Sequence, residues 1–82
     1  MHNDIEILNK IIGIVKTNFK SVVLDPKKDI DRSMSEIGLD SLDIMTLFLE
    51  IEEKLGVKIP DEVVDELNTL RSITHYVQKK II

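Results

Sequence analysis

Apolar positions along this chain return every three or four residues, with no sustained alternation of apolar and polar. That period selects helix over strand. Ile5, Leu8, Ile12, Val15 and Phe19 predict a single apolar stripe on a helix near residues 3–20. Asn3 or Asp4 can cap it, and Asp4 and Glu6 suit its positive end. Gly13 weakens this helix without ending it. A second helix is expected from about 41 to 55, stopping at Gly56, the residue type that favours a left-handed C-terminal cap. Val57-Lys58-Ile59 reads as a short extended link. Pro60 then opens a brief helix with Asp61 and Glu62 at its N-terminus and Val63, Val64 and Leu67 facing inward. Asn68 or Thr69 caps a last helix striped by Leu70, Ile73, Val77 and Ile81. The expected fold is all-α. It is a small four-helix bundle of three longer helices and one short one, a single domain over residues 1–82, with a long loop between helices 1 and 2.

Residues 21–40 lack a sustained period, but they are not featureless. Asp25-Pro26 is a turn signal. Ser33 with Glu36 can form a capping box for one helical turn. Ile30, Met34, Ile37 and Leu39 are spaced to pin the loop onto the core. A loop of this length is disordered or functional, and those anchors argue for function.

The second helix has more apolar surface than one buried face requires. On a wheel of about 100° per residue, Ile44, Leu47, Phe48, Ile51 and Leu55 share one side. Leu42, Met45 and Leu49 fall opposite, with Glu52 and Glu53 alongside and Thr46 next to them. An outer helix of a small bundle cannot bury both faces. An apolar strip rimmed by acids suits docking of a basic, partly apolar partner. Alternatively, the 21–40 loop folds over the strip and makes it core.

Charge sharpens that picture. Residues 36–66 hold ten acids against Lys54 and Lys58, a net −8, while the rest of the chain carries nine bases and five acids, a net +4. The acidic half would repel a polyphosphate, so nucleic acid is not an expected ligand, and a basic protein surface is. The chain has no cysteine, which excludes disulfides and thiolate metal sites. Thiol chemistry, if any, must be brought in from outside. The apolar runs are too short to span a bilayer and no signal peptide is evident, so a cytoplasmic chain without membrane insertion is expected.

Asp40-Ser41-Leu42-Asp43 opens the second helix. Serine and aspartate both serve as N-caps, and acids suit the positive end of a helix. Asp40 alone can do the capping, which leaves the Ser41 hydroxyl spare at the tip of the molecule beside the apolar strip. A spare primary hydroxyl there is an attachment point. It is not a catalytic nucleophile by itself, since the only histidines are His2, near the terminus, and His75, within the last helix, both far from Ser41 in sequence. No metal-ligand spacing and no Gly-rich phosphate loop occurs.

Gly38-Leu39-Asp40-Ser41-Leu42-Asp43, the Leu47…Glu52-Glu53 continuation and the later Ile59-Pro60-Asp61-Glu62 resemble the acyl carrier protein family. The likeness covers nearly the whole chain. It implies that Ser41 is esterified by 4′-phosphopantetheine, delivered from coenzyme A by a separate phosphopantetheinyl transferase. Asp40 would help that transferase hold its magnesium ion. The family's recognition helix corresponds to the second helix here, so Leu42, Asp43, Met45, Leu49, Glu52 and Glu53 would meet the transferase and the acyl-loading and acyl-processing enzymes through basic docking surfaces. The resemblance further implies a non-catalytic carrier, monomeric, presenting acyl groups as thioesters on an arm that supplies the missing thiol.

The chain also departs from the family pattern. Housekeeping fatty-acid carriers usually have glutamate where Thr46 stands and more acids around Lys54 and Lys58. The stretch Val23-Leu24-Asp25-Pro26-Lys27-Lys28 is unusually basic. These features point to a specialised lipid or polyketide-type pathway. Two alternatives stay open: a carrier of aminoacyl groups, and an unmodified helical adaptor that binds a basic partner.

Overall fold

Why each helix starts and stops where it does can be read from its ends. The structure, a computed structural model, describes residues 4–25 and 27–81, without the side chain of Asp4. The expected capping of the first helix by Asn3 or Asp4, and Pro26 and His2, lie outside what is described. Four α-helices follow one another: α1 (Asp4–Asn18), α2 (Ser41–Leu55), α3 (Asp61–Val64) and α4 (Leu70–Ile81), with a 3₁₀ turn at Asp29–Asp31 in the long loop. No strand occurs among the described residues, only an isolated antiparallel bridge between Ser33 and Thr69. The all-α four-helix architecture read from the period is the one observed.

α1 lies against both α2 and α4, and α4 also meets the 3₁₀ turn. Ile11, Val15, Leu47, Ile51, Leu70, Ile73 and Val77 are fully buried where these helices converge. The aliphatics of α1 cover roughly half its wheel. Because α1 has neighbours on two sides, the buried arc is broad and centres on Ile11 and Val15, with Ile7 and Ile14 also inside. Of the stripe traced from Ile5, Ile12 and Val15 are buried and Leu8 and Phe19 half-buried, while Ile5 is 71% exposed. The helix also ends at Asn18, short of residue 20, where the Asn18 side-chain amide donates to the Ile14 carbonyl at 2.9 Å.

At the other helix ends the expected devices are in place. Gly56 closes α2 at φ +72°, a left-handed conformation that suits glycine. Pro60, extended at ψ 153°, stands one residue before α3, as its N-cap and not as its first helical residue. Thr69 and Ser72 bond reciprocally at the start of α4, Ser72 N donating to Thr69 Oγ1 at 3.0 Å and Thr69 N to Ser72 Oγ at 3.1 Å. Val63 and Val64 are half-buried and Leu67 is buried, as their inward placement required. No helix among the described residues is long and apolar enough to cross a membrane.

The long loop is held down. Leu24, Ile30, Met34, Ile37 and Leu39 are all buried in the shared core. Arg71 on α4 binds Asp31 with two parallel bonds, Nε to Oδ1 and Nη2 to Oδ2. That guanidinium holds the Asp31 carboxyl below its ordinary range, through its hydrogen bond first and its charge second. Glu36 is lowered too, chiefly by the Ser33 backbone N–H, then by the Ser33 hydroxyl. A carboxylate with a depressed folded pKa contributes stability above its unfolded value and loses it as pH falls through the folded one. The melting temperature is therefore expected to hold at neutral pH and drop as pH passes below the ordinary carboxylate range. R71Q should flatten part of that slope. A melting temperature that rises on acidification would contradict these two assignments.

Candidate functional site

Three local motifs in succession deliver the start of α2. Ser33 N donates to Glu36 Oε1 at 3.1 Å, and Glu36 N to Ser33 Oγ at 3.3 Å, the reciprocal box expected from the sequence. The single turn it opens ends in a Schellman arrangement. Leu39 N donates to the Met34 carbonyl at 2.9 Å and Gly38 N to that of Ser35 at 3.2 Å. Gly38 carries φ +104°, a conformation costly for any residue with a Cβ. Leu39, just past the glycine, is buried and anchors the turn. The chain then reaches Asp40 in an extended conformation and enters α2. The Gly38-Leu39 pair is thus a helix stop and an anchor, and the Asp40-Ser41 pair behind it is a helix start.

Asp40 is the N-cap. Its Oδ1 accepts from Asp43 N at 2.8 Å, while Asp43 Oδ2 accepts from Asp40 N at 3.2 Å, a second reciprocal box. Asp43 was expected as a favourable charge at the helix start and as part of the partner surface, and its part in the box is new. Ser41 is the first residue of α2, and it is exposed. Its hydroxyl makes no hydrogen bond among the described residues, because Asp40 has taken the capping role. By contrast, the Ser33 hydroxyl is engaged by Glu36 and Ser35, and the Ser72 hydroxyl by Thr69. Asp40→Ala removes the half of the box in which the Asp40 carboxylate accepts from Asp43 N and should cost about 1 kcal/mol, the usual loss of a cap. Asp40→Asn keeps an acceptor at the same place and should cost only a few tenths of that on the same scale. Urea unfolding of the two variants checks the pair.

Leu42, Met45 and Leu49 are 74%, 61% and 63% exposed, whereas Leu47 on the opposite side of α2 is fully buried. The loop does not cover them. Glu52 and Glu53 are exposed beside the strip, as is Thr46, while Lys54 pairs with Glu50 at 3.4 Å.

Two grooves flank Met45. One, of about 410 Å³, is lined by Ser33, Met34, Ser35, Ser41, Ile44, Met45, Val64, Asp65 and Asn68. The other, of about 340 Å³, lies between α2 and α3 against Met45, Phe48, Leu49, Glu52, Ile59, Asp61, Val64 and Asp65. Val64 and Asp65 line both. The apolar strip therefore continues onto the short third helix with an acidic lip, a role for Asp61 and Asp65 that the wheel of α2 alone could not reveal. The only available signal was the acid-rich, half-apolar composition of residues 61–66.

No histidine lines the groove at Ser41 among the described residues. His75 is on α4 and lines a separate small cleft with Ile5, Leu8, Arg71 and Thr74. No group of three or more potential metal ligands occurs among the described residues. The arrangement presents an exposed hydroxyl beside the Asp40 and Asp43 carboxylates and in a groove that Asp65 also lines.

Residues 9–77 match the family model described as a phosphopantetheine attachment site. The chain belongs to the acyl carrier protein family. The acyl carrier protein of Thermosynechococcus vestitus is 32% identical over 81 residues, covering 96% of each chain. That of Thermotoga maritima is 32% identical over 79 residues, 93% of each. The mitochondrial acyl carrier protein of Dictyostelium discoideum is 32% identical over 90% of this chain and 60% of its own. The cofactor of the carrier family is 4′-phosphopantetheine, held covalently on a serine, and a phosphopantetheinyl transferase and acyl-processing enzymes are its partners. An exposed primary hydroxyl with no competing bond, at the mouth of a groove, fits that group.

Proposed function

We propose that Ser41 carries the 4′-phosphopantetheine arm and that the chain, monomeric in its working form and cytoplasmic, presents acyl groups as thioesters to the enzymes of a dedicated pathway. The observation that supports this most is the spare Ser41 hydroxyl: α2 is capped by Asp40 and Asp43, so Ser41 has no structural bond to give up. In the attachment step Ser41 Oγ forms a phosphodiester bond to the pantetheine-bearing phosphorus of coenzyme A. The pyrophosphate P–O bond breaks and 3′,5′-ADP leaves. The serine proton goes to a base on the transferase. Asp40 supplies a carboxylate near the transferase's magnesium ion. Asp40→Asn should therefore slow loading well beyond its small effect on stability.

Leu42, Asp43, Met45, Leu49, Glu52 and Glu53 form the surface for partners with basic docking faces. Thr46 on this helix, together with Lys58 just past it, makes the surface less acidic than that of housekeeping fatty-acid carriers. That supports a specialised lipid or polyketide-type pathway. Because the chain has no cysteine, the arm would bring its only thiol. Coenzyme A and a broad-range transferase should raise thiol content, titrated with a maleimide after removal of free coenzyme A, from zero to one per chain. A titre that stays at zero would leave an unmodified adaptor as the better reading.

A further inference from the structure

The loop after α1 carries a charged surface that the α2 strip leaves unused. Val23 is 91% exposed, more than any other large hydrophobic residue described. Lys20, Lys27 and Lys28 are exposed around it in sequence and make no ion pair among the described residues. The acids of the same stretch are engaged. Asp25 Oδ1 accepts from Lys27 N at 2.8 Å, Asp29 Oδ2 accepts from Asp25 N at 2.8 Å, and Asp31 is bound by Arg71. The tip is held on both sides of the valine. Leu24 is buried, and a methyl group placed on Gly38 would meet Val22 Cγ2 at 3.8 Å. Gly38 stands three residues before Ser41, a span of at most about 11 Å of chain. Val22, at the base of the tip, therefore lies within roughly 15 Å of Ser41. Glu52, near the far end of α2, is about 16 Å from Ser41 by helical rise. The tip thus starts as close to the attachment residue as the outer acids of the strip.

Enzymes that act on the far end of the arm can stand off from Ser41. The transferase cannot, because the bond it makes is to Ser41 Oγ. An interface of ordinary size covers about 800 Å² on each partner, a patch roughly 30 Å across. Centred on Ser41, such a patch reaches the tip. Resting on the reading that Ser41 carries the arm, we propose that the Val23 tip is a contact for the phosphopantetheinyl transferase that loads this chain, and that this transferase meets it with an acidic patch around an apolar depression. Val23 fills the depression, and Lys27 and Lys28 meet the acids. The tip then sets specificity. A transferase face that is basic throughout would suit Glu52 and Glu53 but be repelled by the lysines, so the tip selects a face of mixed sign. A protein fits better than an anionic lipid surface. Glu36 and Asp40 are exposed on either side of Gly38, next to the tip, and a uniformly negative surface would repel them.

Loading kinetics with the phosphopantetheinyl transferase of the organism that makes this chain, at saturating coenzyme A, test the assignment. K27E/K28E and Val23→Asp should each raise KM for the chain about tenfold and leave kcat unchanged, the signature of lost binding and not of lost chemistry. Rising salt should narrow the gap between K27E/K28E and the unsubstituted chain, as exposed charges are screened. K79E/K80E makes the same change in net charge at the C-terminal end of α4 and should leave KM within about twofold, since charges remote from the contact are screened. Every variant should still load fully at long times, which shows that the fold and Ser41 are intact. If the unsubstituted chain loads and the tip variants share its KM, the proposal is overturned while the role of Ser41 stands. If no chain loads, both fall. An equal rise in KM for K79E/K80E would reduce the effect to net charge and overturn the assignment. Tip variants that keep their KM but lose binding to vesicles of phosphatidylglycerol and phosphatidylcholine would make the tip a lipid contact instead.

Discussion

Leu47→Ala is expected to cost about 2–5 kcal/mol of stability, and Leu49→Ala, two residues along the same helix, well under 1. Leu47 is fully buried and Leu49 is 63% exposed, so the first substitution leaves a cavity and the second does not. Met45→Ala, at 61% exposure, should behave like Leu49→Ala. The functional readout should run the other way. If the strip docks partners, Met45→Ala and Leu49→Ala slow loading by a transferase while urea unfolding scarcely changes. Charge reversal at Glu52 or Glu53 should mainly slow association and lessen its dependence on salt, because a rim charge steers encounter more than it holds a complex. Should Met45→Ala unfold the bundle as readily as Leu47→Ala, the strip is core and the recognition surface lies elsewhere.

Ser41→Ala is expected to abolish loading and leave the fold standing. A cap residue replaced by alanine loses about 1 kcal/mol. Ser41 is not the cap: Asp40 and Asp43 satisfy each other's backbone donors, and the Ser41 hydroxyl holds nothing among the described residues. Alanine is also a favourable residue in the first turn of a helix. The change in unfolding free energy should stay within about 0.5 kcal/mol, the range of ordinary surface substitutions. A loss near that of Asp40→Ala would make Ser41 structural and would undo the reasoning from redundancy.

Much of this was legible in the sequence, and the exceptions are instructive. The two faces of α2 followed from the period alone, because buried Leu47 and Ile51 and exposed Met45 and Leu49 lie opposite on a helix wherever it packs. Gly56 and the Ser33–Glu36 box are local motifs, closed within a few residues, and they formed as read. On α1 the helix and most of its stripe were legible, but the exposure of Ile5 and the burial of Ile7, Ile11 and Ile14 have a tertiary reason. The α1 aliphatics wrap half the helix, and which arc is buried depends on where α2 and α4 sit, which no local pattern encodes. Gly38 stood in the motif as a family marker. Its physical task, a left-handed helix stop that seats Leu39, needed the backbone to be seen. Asp65 reached the site from across the chain, and the Asp31–Arg71 pair joins residues forty apart, so neither could be inferred from spacing.

The central claim is that Ser41 is the attachment residue. The direct measurement is the intact mass of the chain and of Ser41→Ala after incubation with coenzyme A and transferase, followed by peptide mapping. The unsubstituted chain should gain one phosphopantetheine unit, mapped to Ser41, and Ser41→Ala should gain nothing. No gain in the first protein, or a gain that persists in the second, would contradict the account.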